Sequence, residues 1–173
     1  MSEALRQFDP VLPDVLAPRL KVVFCGSAVG TVSAQRGAYY AHPQNRFWRI
    51  LYEVGLTPRL LKPEEFAELP EWGIGLTDIA KQASGMDAEL PAGALGKEAC
   101  ALLTAKIIAA QPKFLAFTSL TAGRRWLGRT AVLGDSGERI GKTRVWLLPS
   151  PSPTAGYRWD QSWWRKLANE AKG

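Results

Sequence analysis

Between residues 25 and 48 the chain places, in order, Gly26 and Gly30, the adjacent Tyr39 and Tyr40, its sole histidine His42, and Asn45 two residues after Pro43. Glycines at a strand end let backbone amides approach an anion or a carbonyl oxygen closely, because no side chain intervenes. The Asn45 amide offers an acceptor for a water proton and donors for a ligand oxygen. A cap on the helix that starts there accounts for Asn45 equally well. His42, solitary and beside proline, reads as a hydrogen bonder that fixes its loop. Farther on, Asp78 ends Gly73-Ile-Gly-Leu-Thr-Asp78, and an ionised carboxylate can only accept hydrogen bonds. It could equally cap a helix or close a turn. Near the far end, Pro149-Ser-Pro-Ser-Pro-Thr154 presents Ser150, Ser152 and Thr154 on a loop whose prolines cut its freedom before binding, which suits phosphate contact.

Positioning these groups requires a scaffold of strands that end at one rim. Leu20-Lys-Val-Val-Phe-Cys25 is a short β-branched and aromatic run that reads as a buried parallel strand stopping at Gly26. Gly73 to Ile79, Lys113 to Phe117 and Arg144 to Leu148 read as three further strands, with a short hairpin near Gly134 to Gly141. Helices are expected over Asn45–Val54, Pro63–Leu69, Gly93–Ala110 and Trp159–Ala171, and one from an N-cap at Ser119 through Leu127. In the third of these, Leu95, Ala99, Leu102, Leu103, Ile107 and Ala110 form the buried stripe. Trp159, Trp163 and Leu167, four residues apart, are expected in the core. This alternation predicts an α/β fold with a mostly parallel sheet and helices on both faces, and ligands at strand-end loops facing one another.

At these motifs the chain resembles the uracil-DNA glycosylase superfamily. Cys25-Gly-Ser-Ala-Val-Gly30 stands where that family has its first motif, and Tyr39-Tyr-Ala-His-Pro-Gln-Asn-Arg-Phe-Trp48 is similar to the corresponding segment of the mismatch-specific uracil and thymine glycosylases. Gly73 to Asp78 resembles the base-recognition strand, and Pro149 to Thr154 the Ser/Pro-rich DNA loop. The hypoxanthine glycosylases are the other close branch. The resemblance implies a three-layer α/β/α domain with a central four-stranded parallel sheet, over residues 20–173 after an arm at 1–19. It also implies a monofunctional repair glycosylase that hydrolyses the N-glycosidic bond of uracil in DNA, with hypoxanthine as the alternative base. A catalytically degenerate DNA-binding module is a further alternative.

That chemistry needs a flipped base, a pocket that reads its edge, donors for the departing anion and a placed water. By resemblance, Tyr40 takes the place of a phenylalanine that stacks on the base, with Tyr39 the second choice. Gly26 and His42 belong to the same base pocket, His42 in a supporting role. Asp78 stands where relatives carry asparagine or lysine at the base edge. Uracil N3–H and hypoxanthine N1–H would both satisfy it, whereas the bare ring nitrogen of cytosine or adenine would not, although their exocyclic amino groups could still donate, so Asp78 alone does not fix specificity. One departure concerns the water: the mismatch branch positions it with an asparagine where this chain has Ala28. Asn45 is then the best remaining holder, as the hypoxanthine branch also suggests. The backbone of Gly26, Ser27 and Ala28 could stabilise the developing anion. Thr154 replaces a leucine wedge, a role open to Tyr157 or Arg158, and of the arginines around the end of the helix, Arg124, Arg125 and Arg129, the first two are candidate phosphate contacts or simply a solvated helix end.

The whole chain is consistent with this reading. Its 173 residues suit one domain with one substantial core, and 46% hydrophobic residues is an ordinary globular share. A net charge of +6 favours a polyanionic partner such as DNA, or serves solubility alone. Two cysteines, Cys25 and Cys100, can build neither a disulfide framework nor a four-cysteine iron–sulfur or zinc site, so neither metal nor cofactor is expected. The apolar runs are too short to cross a membrane, and Met1 to Arg6 has no secretory pattern. A monomer, soluble and cytoplasmic, is therefore the expectation.

Overall fold

The computed structural model describes residues 10–85, 90, 93–128 and 130–173. Five strands, β1 (Val22–Val29), β2 (Ile74–Ser84), β3 (Phe114–Phe117), β4 (Gly134–Ile140) and β5 (Thr143–Leu147), form one sheet in the order β2-β1-β3-β5-β4. Neighbours are parallel except β4, which runs antiparallel to β5 along the edge. Among the described residues, five helices follow the chain as α1 (Thr31–Arg36), α2 (Phe47–Glu53), α3 (Lys97–Ala110), α4 (Leu120–Leu127) and α5 (Gln161–Lys172), with 3₁₀ segments at Pro63–Trp72 and Pro153–Arg158.

The period of two along β1 divides the interior. Val22 and Phe24 face a core shared with Phe47, Leu51, Leu76, Trp164 and Leu167, whereas Val23 and Cys25 face a second core with Leu103, Ile107, Leu115 and Phe117. Helices α2 and α5 therefore cover one face and α3 and α4 the other, giving the three layers expected. Residues 10–19 are part of this packing: Val15 bridges Leu76 of β2, and Leu12 and Val15 are buried.

The structure alters several expectations. The sheet has five strands, because Gly134–Ile140 pairs with β5 at both its ends, across an irregularity between Asp135 and Arg139, through a two-residue turn at Gly141 (φ +60°). Strand β1 does not stop at Gly26. It continues to Val29, with an irregularity against β2 between Ala28 and Val29, and neither Gly26 nor Gly30 has positive φ. Strand β2 likewise runs past Ile79 to Ser84. In α3, Leu103, Ile107 and Ala110 are buried, but Leu102 is 61% exposed. The last helix starts at Gln161 rather than Trp159; in it the fully buried aromatic is Trp164, while Trp163, and Trp159 before the helix, pack only partly against the core. Trp164 stacks on Phe24 and donates to the Pro149 carbonyl at 3.0 Å, so it fixes the root of the Ser/Pro loop.

Candidate active site

The sheet order makes the chain leave β1 toward one side and β3 toward the other, and a crevice opens at the carboxyl ends of these strands. A cavity of about 1160 Å³ lies there, bounded by the end of β1, the Tyr40–Asn45 loop, the start of α4 and the Ser/Pro loop. It brings together Gly26, Ser27, Ala28, Tyr40, His42, Asn45, Asp78, Arg124, Ser150, Ser152, Thr154, Tyr157 and Arg158. These thirteen candidate residues thus line one space. Arg129 falls outside the described residues, and Arg125 lies on the neighbouring surface beside Arg124.

Gly26 pairs with Asp78 across the β1–β2 ladder. A Cβ on Gly26 would lie 2.7 Å from Asp78 Oδ1 and 3.7 Å from both Thr118 Oγ1 and the Tyr40 hydroxyl. Close approach of these groups, rather than a turn, is what requires glycine here. Asp78 sits within a strand and is 4% exposed, so it caps no helix and closes no turn. Its Oδ2 has no hydrogen-bond partner among the described residues, and the nearest cation, Lys81 Nζ, is 3.7 Å away. Burial pushes its carboxyl up to about 6, against the pull of Lys81.

Tyr40 adopts φ +52°, an uncommon conformation for a bulky residue. Two contacts hold it: its ring stacks on Phe47 of α2, and its hydroxyl lies 3.0 Å from Thr118 Oγ1. Burial and the nearby Asp78 charge keep the phenol protonated. Tyr39 is instead a core residue, its hydroxyl donating to the Pro13 carbonyl and its ring edge-on to Phe66.

The loop between α1 and α2 is braced throughout. Ser33 Oγ accepts from the Ala41 amide, Arg36 donates to the Ala41 carbonyl, and Trp48 Nε1 donates to the Tyr39 carbonyl. His42 Nδ1 accepts from the Gln44 amide at 3.1 Å, the loop-fixing role its neighbours suggested. Asn45 Oδ1 accepts from the Phe47 amide at 2.9 Å, so the residue does cap the first turn of α2. Its side-chain NH₂ group is not used in that bond. The next residue, Arg46, ties this loop to the Ser/Pro loop: its amide donates to the Pro151 carbonyl and its guanidinium to the Ser152 carbonyl.

On the Ser/Pro loop, Ser152 Oγ lies 2.9 Å from Thr154 Oγ1 and accepts from the Thr154 amide. A kink at Gly156 (φ +54°, ψ −125°) interrupts the 3₁₀ segment, and beside it Tyr157 stands 93% exposed with Arg158 over its ring at 5.8 Å. Arg124 is also exposed, but its Nε and Nη2 both donate to the Ala131 carbonyl at 3.2 Å.

The family model of the uracil DNA glycosylase superfamily matches residues 13–171. The chain belongs to that superfamily. Among solved structures it is similar to the solution NMR structure of a candidate uracil DNA glycosylase from Methanosarcina acetivorans, with a TM-score of 0.61, 18% identity, and coverage of 94% of this chain and 97% of that one. At that identity the likeness concerns the fold. Membership in the superfamily assigns the chain to the glycosylases of DNA base-excision repair, which act on DNA.

Three groups at this glycosylase-type site escape sequence reasoning. Thr118, which anchors Tyr40, lies next to the cap Ser119, which accepts from the Ala122 amide. Lys81, three residues after Asp78, and Asp14 from the N-terminal segment form an ion pair at 2.9 Å beneath the pocket. The Asp78–Lys81 spacing is visible in the sequence, but only the extension of β2 past Ile79 puts both on one strand. Nothing local marks Asp14. Among the described residues, no three His, Cys, Asp or Glu side chains converge to hold a metal ion.

Proposed function

We infer that this protein is a monofunctional DNA glycosylase that hydrolyses the N-glycosidic bond of uracil in single- and double-stranded DNA, with water as nucleophile and no cofactor, leaving an abasic site. The observation that carries this reading is the buried Asp78 carboxylate, its Oδ2 without a hydrogen-bond partner among the described residues, beside Gly26 and Tyr40 in a cavity rimmed by a rigid Ser/Pro loop. Tyr40 offers an anchored ring for stacking on a flipped base. Asp78, mostly ionised at neutral pH, accepts a hydrogen bond from an N–H flanked by carbonyls, as in uracil. Asn45, its Oδ1 already bonded to the Phe47 amide, retains a second lone pair for a water proton and an NH₂ group for a ligand oxygen. The backbone of Gly26, Ser27 and Ala28, at the end of β1, is the candidate stabiliser of a developing anion, a role that needs no polar side chain at position 28. The exposed pair Tyr157 and Arg158 stands where a wedge would enter the emptied base-pair space.

Hypoxanthine also presents a ring N–H to Asp78, N1–H beside a single carbonyl, and is the second substrate of this reading, in keeping with the two branches the motifs resemble. Incubation with labelled oligonucleotides carrying a single uracil or hypoxanthine, followed by alkaline cleavage, tests it. Cleavage at uracil is the expected result. Cleavage at hypoxanthine alone reassigns the base, and binding without cleavage of either identifies a degenerate DNA-binding module.

A further inference from the structure

Beneath the base pocket lies a charged array that the glycosylase reading leaves unused. Lys81 Nζ is 2.9 Å from Asp14 Oδ1 and 3.0 Å from the Tyr39 hydroxyl, and Asp14 also accepts from Thr77 Oγ1 at 2.7 Å and pairs with Lys106 at 2.7 Å. Asp78 borders both the large cavity and a second one of about 620 Å³ on the far side, which Asp14, Lys81, Lys106 and Glu98 also line. Lys81 is thus held by partners other than Asp78. At 3.7 Å it reaches Asp78 by charge rather than by a hydrogen bond.

We propose, resting on the glycosylase reading above, that Lys81 is a specificity-determining residue of this site: pinned by Asp14 and Tyr39, its ammonium holds Asp78 as the carboxylate, so the pocket selects bases whose ring nitrogen carries a proton. The carboxylates of Asp78 and Asp14 face the two ammonium groups of Lys81 and Lys106, while Glu98, exposed on α3, lines the same second cavity. The other titratable groups facing Asp78 are Cys25 of β1 and Tyr39 and Tyr40 of the following loop, and burial pushes all three up, so they stay neutral. Burial also drives the Asp78 carboxyl toward neutrality, and Lys81 is the leading opposing influence. Without it Asp78 would hold a proton near neutral pH, gaining an O–H donor and losing the charge that strengthens its acceptance of the base N–H. Lys81 serves the reaction too, because an uncompensated carboxylate beside a departing base anion would oppose its departure.

The test compares the wild-type protein with Lys81→Met and Asp14→Asn, reading single-turnover uracil excision from pH 5 to 9 and, without DNA, the titration of the Asp78 carboxyl carbon by NMR. In the wild type the excision rate rises through about pH 6 to a plateau. Lys81→Met moves both the kinetic inflection and the carbon titration upward by about 1–3 units, so excision at pH 7 falls roughly tenfold or more and recovers in alkali. Asp14→Asn removes a negative neighbour and releases Lys81 toward Asp78, so both curves move downward. A Lys81→Met protein whose Asp78 titration stays in place overturns the proposal, as does one whose rate is lowered equally at every pH. The carbon titration needs no substrate, so a wild-type protein that excises neither base sinks the glycosylase reading, while the effect of Lys81 on Asp78 is still read directly.

Discussion

The Tyr40 ring lies flat against Phe47, with centroids 3.9 Å apart and planes 21° from parallel. Phe47 is wholly buried at the start of α2, so one face of the tyrosine is held by the core while its edge is held by Thr118. This backing maintains an αL conformation that costs of order 1–3 kcal/mol in a non-glycine residue.

Tyr40→Ala should therefore lose most excision, roughly 5- to 150-fold, since base–aromatic stacking is worth about 1–3 kcal/mol. Tyr40→Phe keeps the ring and should keep the rate, while losing about 0.5–1.5 kcal/mol of stability with the Thr118 contact. Single-turnover kinetics beside thermal melts read the two effects separately. Equal kinetic loss in both variants would reject the stacking role.

Gly26→Ala tests whether the pocket depends on close approach. A Cβ at 2.7 Å from Asp78 Oδ1 must displace the carboxylate or β1, at a cost of about 1–3 kcal/mol. Excision should fall with it. Gly30→Ala is the matched control, because nothing lies within 4 Å of a Cβ there and its φ of −67° suits alanine. Indistinguishable activity of the two variants would remove Gly26 from the site.

How far the sequence reveals this site depends on whether a residue's role is local. Ser119 as a cap, the loop-fixing His42 and the end of α3 before Pro112 are legible because each is decided within one turn of chain. The core alternation of β1 is legible because burial on both faces leaves a continuous apolar run. What fails is pairing at a distance. The short hairpin read near Gly134 to Gly141 is present, but Gly134–Ile140 exposes most of its residues and carries two glycines, so nothing in it announces that it joins the parallel sheet as a fifth strand. Trp164 is hidden because Trp159, Trp163 and Leu167 share a four-residue period, although the side chain that reaches Phe24 is the neighbouring one. The Asp14–Lys81 pair joins residues 67 positions apart, and no short-range pattern announces it.

Stability should report the cost of the buried carboxylate. The folded-state value of Asp78, about 6, lies above the ordinary 3.8, so the folded protein holds this proton more tightly than the unfolded chain. Stability from this group is greatest below about pH 4 and declines as pH rises toward 6, by about 2–4 kcal/mol in all. Asp78→Asn should accordingly raise the melting temperature at pH 7.5, by the equivalent of about 1–3 kcal/mol once the amide's own desolvation is allowed for, and make little difference at pH 4. It should also lose excision. A variant no more stable than wild type at pH 7.5 would show that the array beneath the pocket already compensates the charge.

Binding to DNA should weaken steeply as salt rises if the Ser/Pro loop and neighbouring arginines meet phosphates. Arg158, exposed on the kinked segment, should contribute more than Arg124, whose guanidinium is already engaged with the Ala131 carbonyl. Arg158→Ala is expected to make the log–log slope shallower by about 0.9 on duplex DNA, and Arg124→Ala by less. Fluorescence anisotropy across a salt series measures both. An affinity independent of salt would contradict phosphate contact by either residue.

Asn45 carries two roles that substitution can separate. Its Oδ1 caps α2 through the Phe47 amide, and its remaining lone pair and NH₂ group border the cavity. Asn45→Asp keeps the acceptor that caps the helix and removes the amide donors, whereas Asn45→Ala removes both. If the amide places the water and a ligand oxygen, both variants lose about 10²–10⁴-fold in single-turnover excision with DNA affinity nearly unchanged, because the lost interaction acts mainly in the transition state. Only Asn45→Ala should also lose about 1 kcal/mol of stability, the ordinary worth of an N-terminal cap. A residue that merely caps gives the opposite pattern, in which Asn45→Asp restores stability and rate together. Near-normal excision by Asn45→Ala would leave the Ser27 and Ala28 backbone as the main source of catalysis, the arrangement that a chain with alanine at position 28 most needs to have tested.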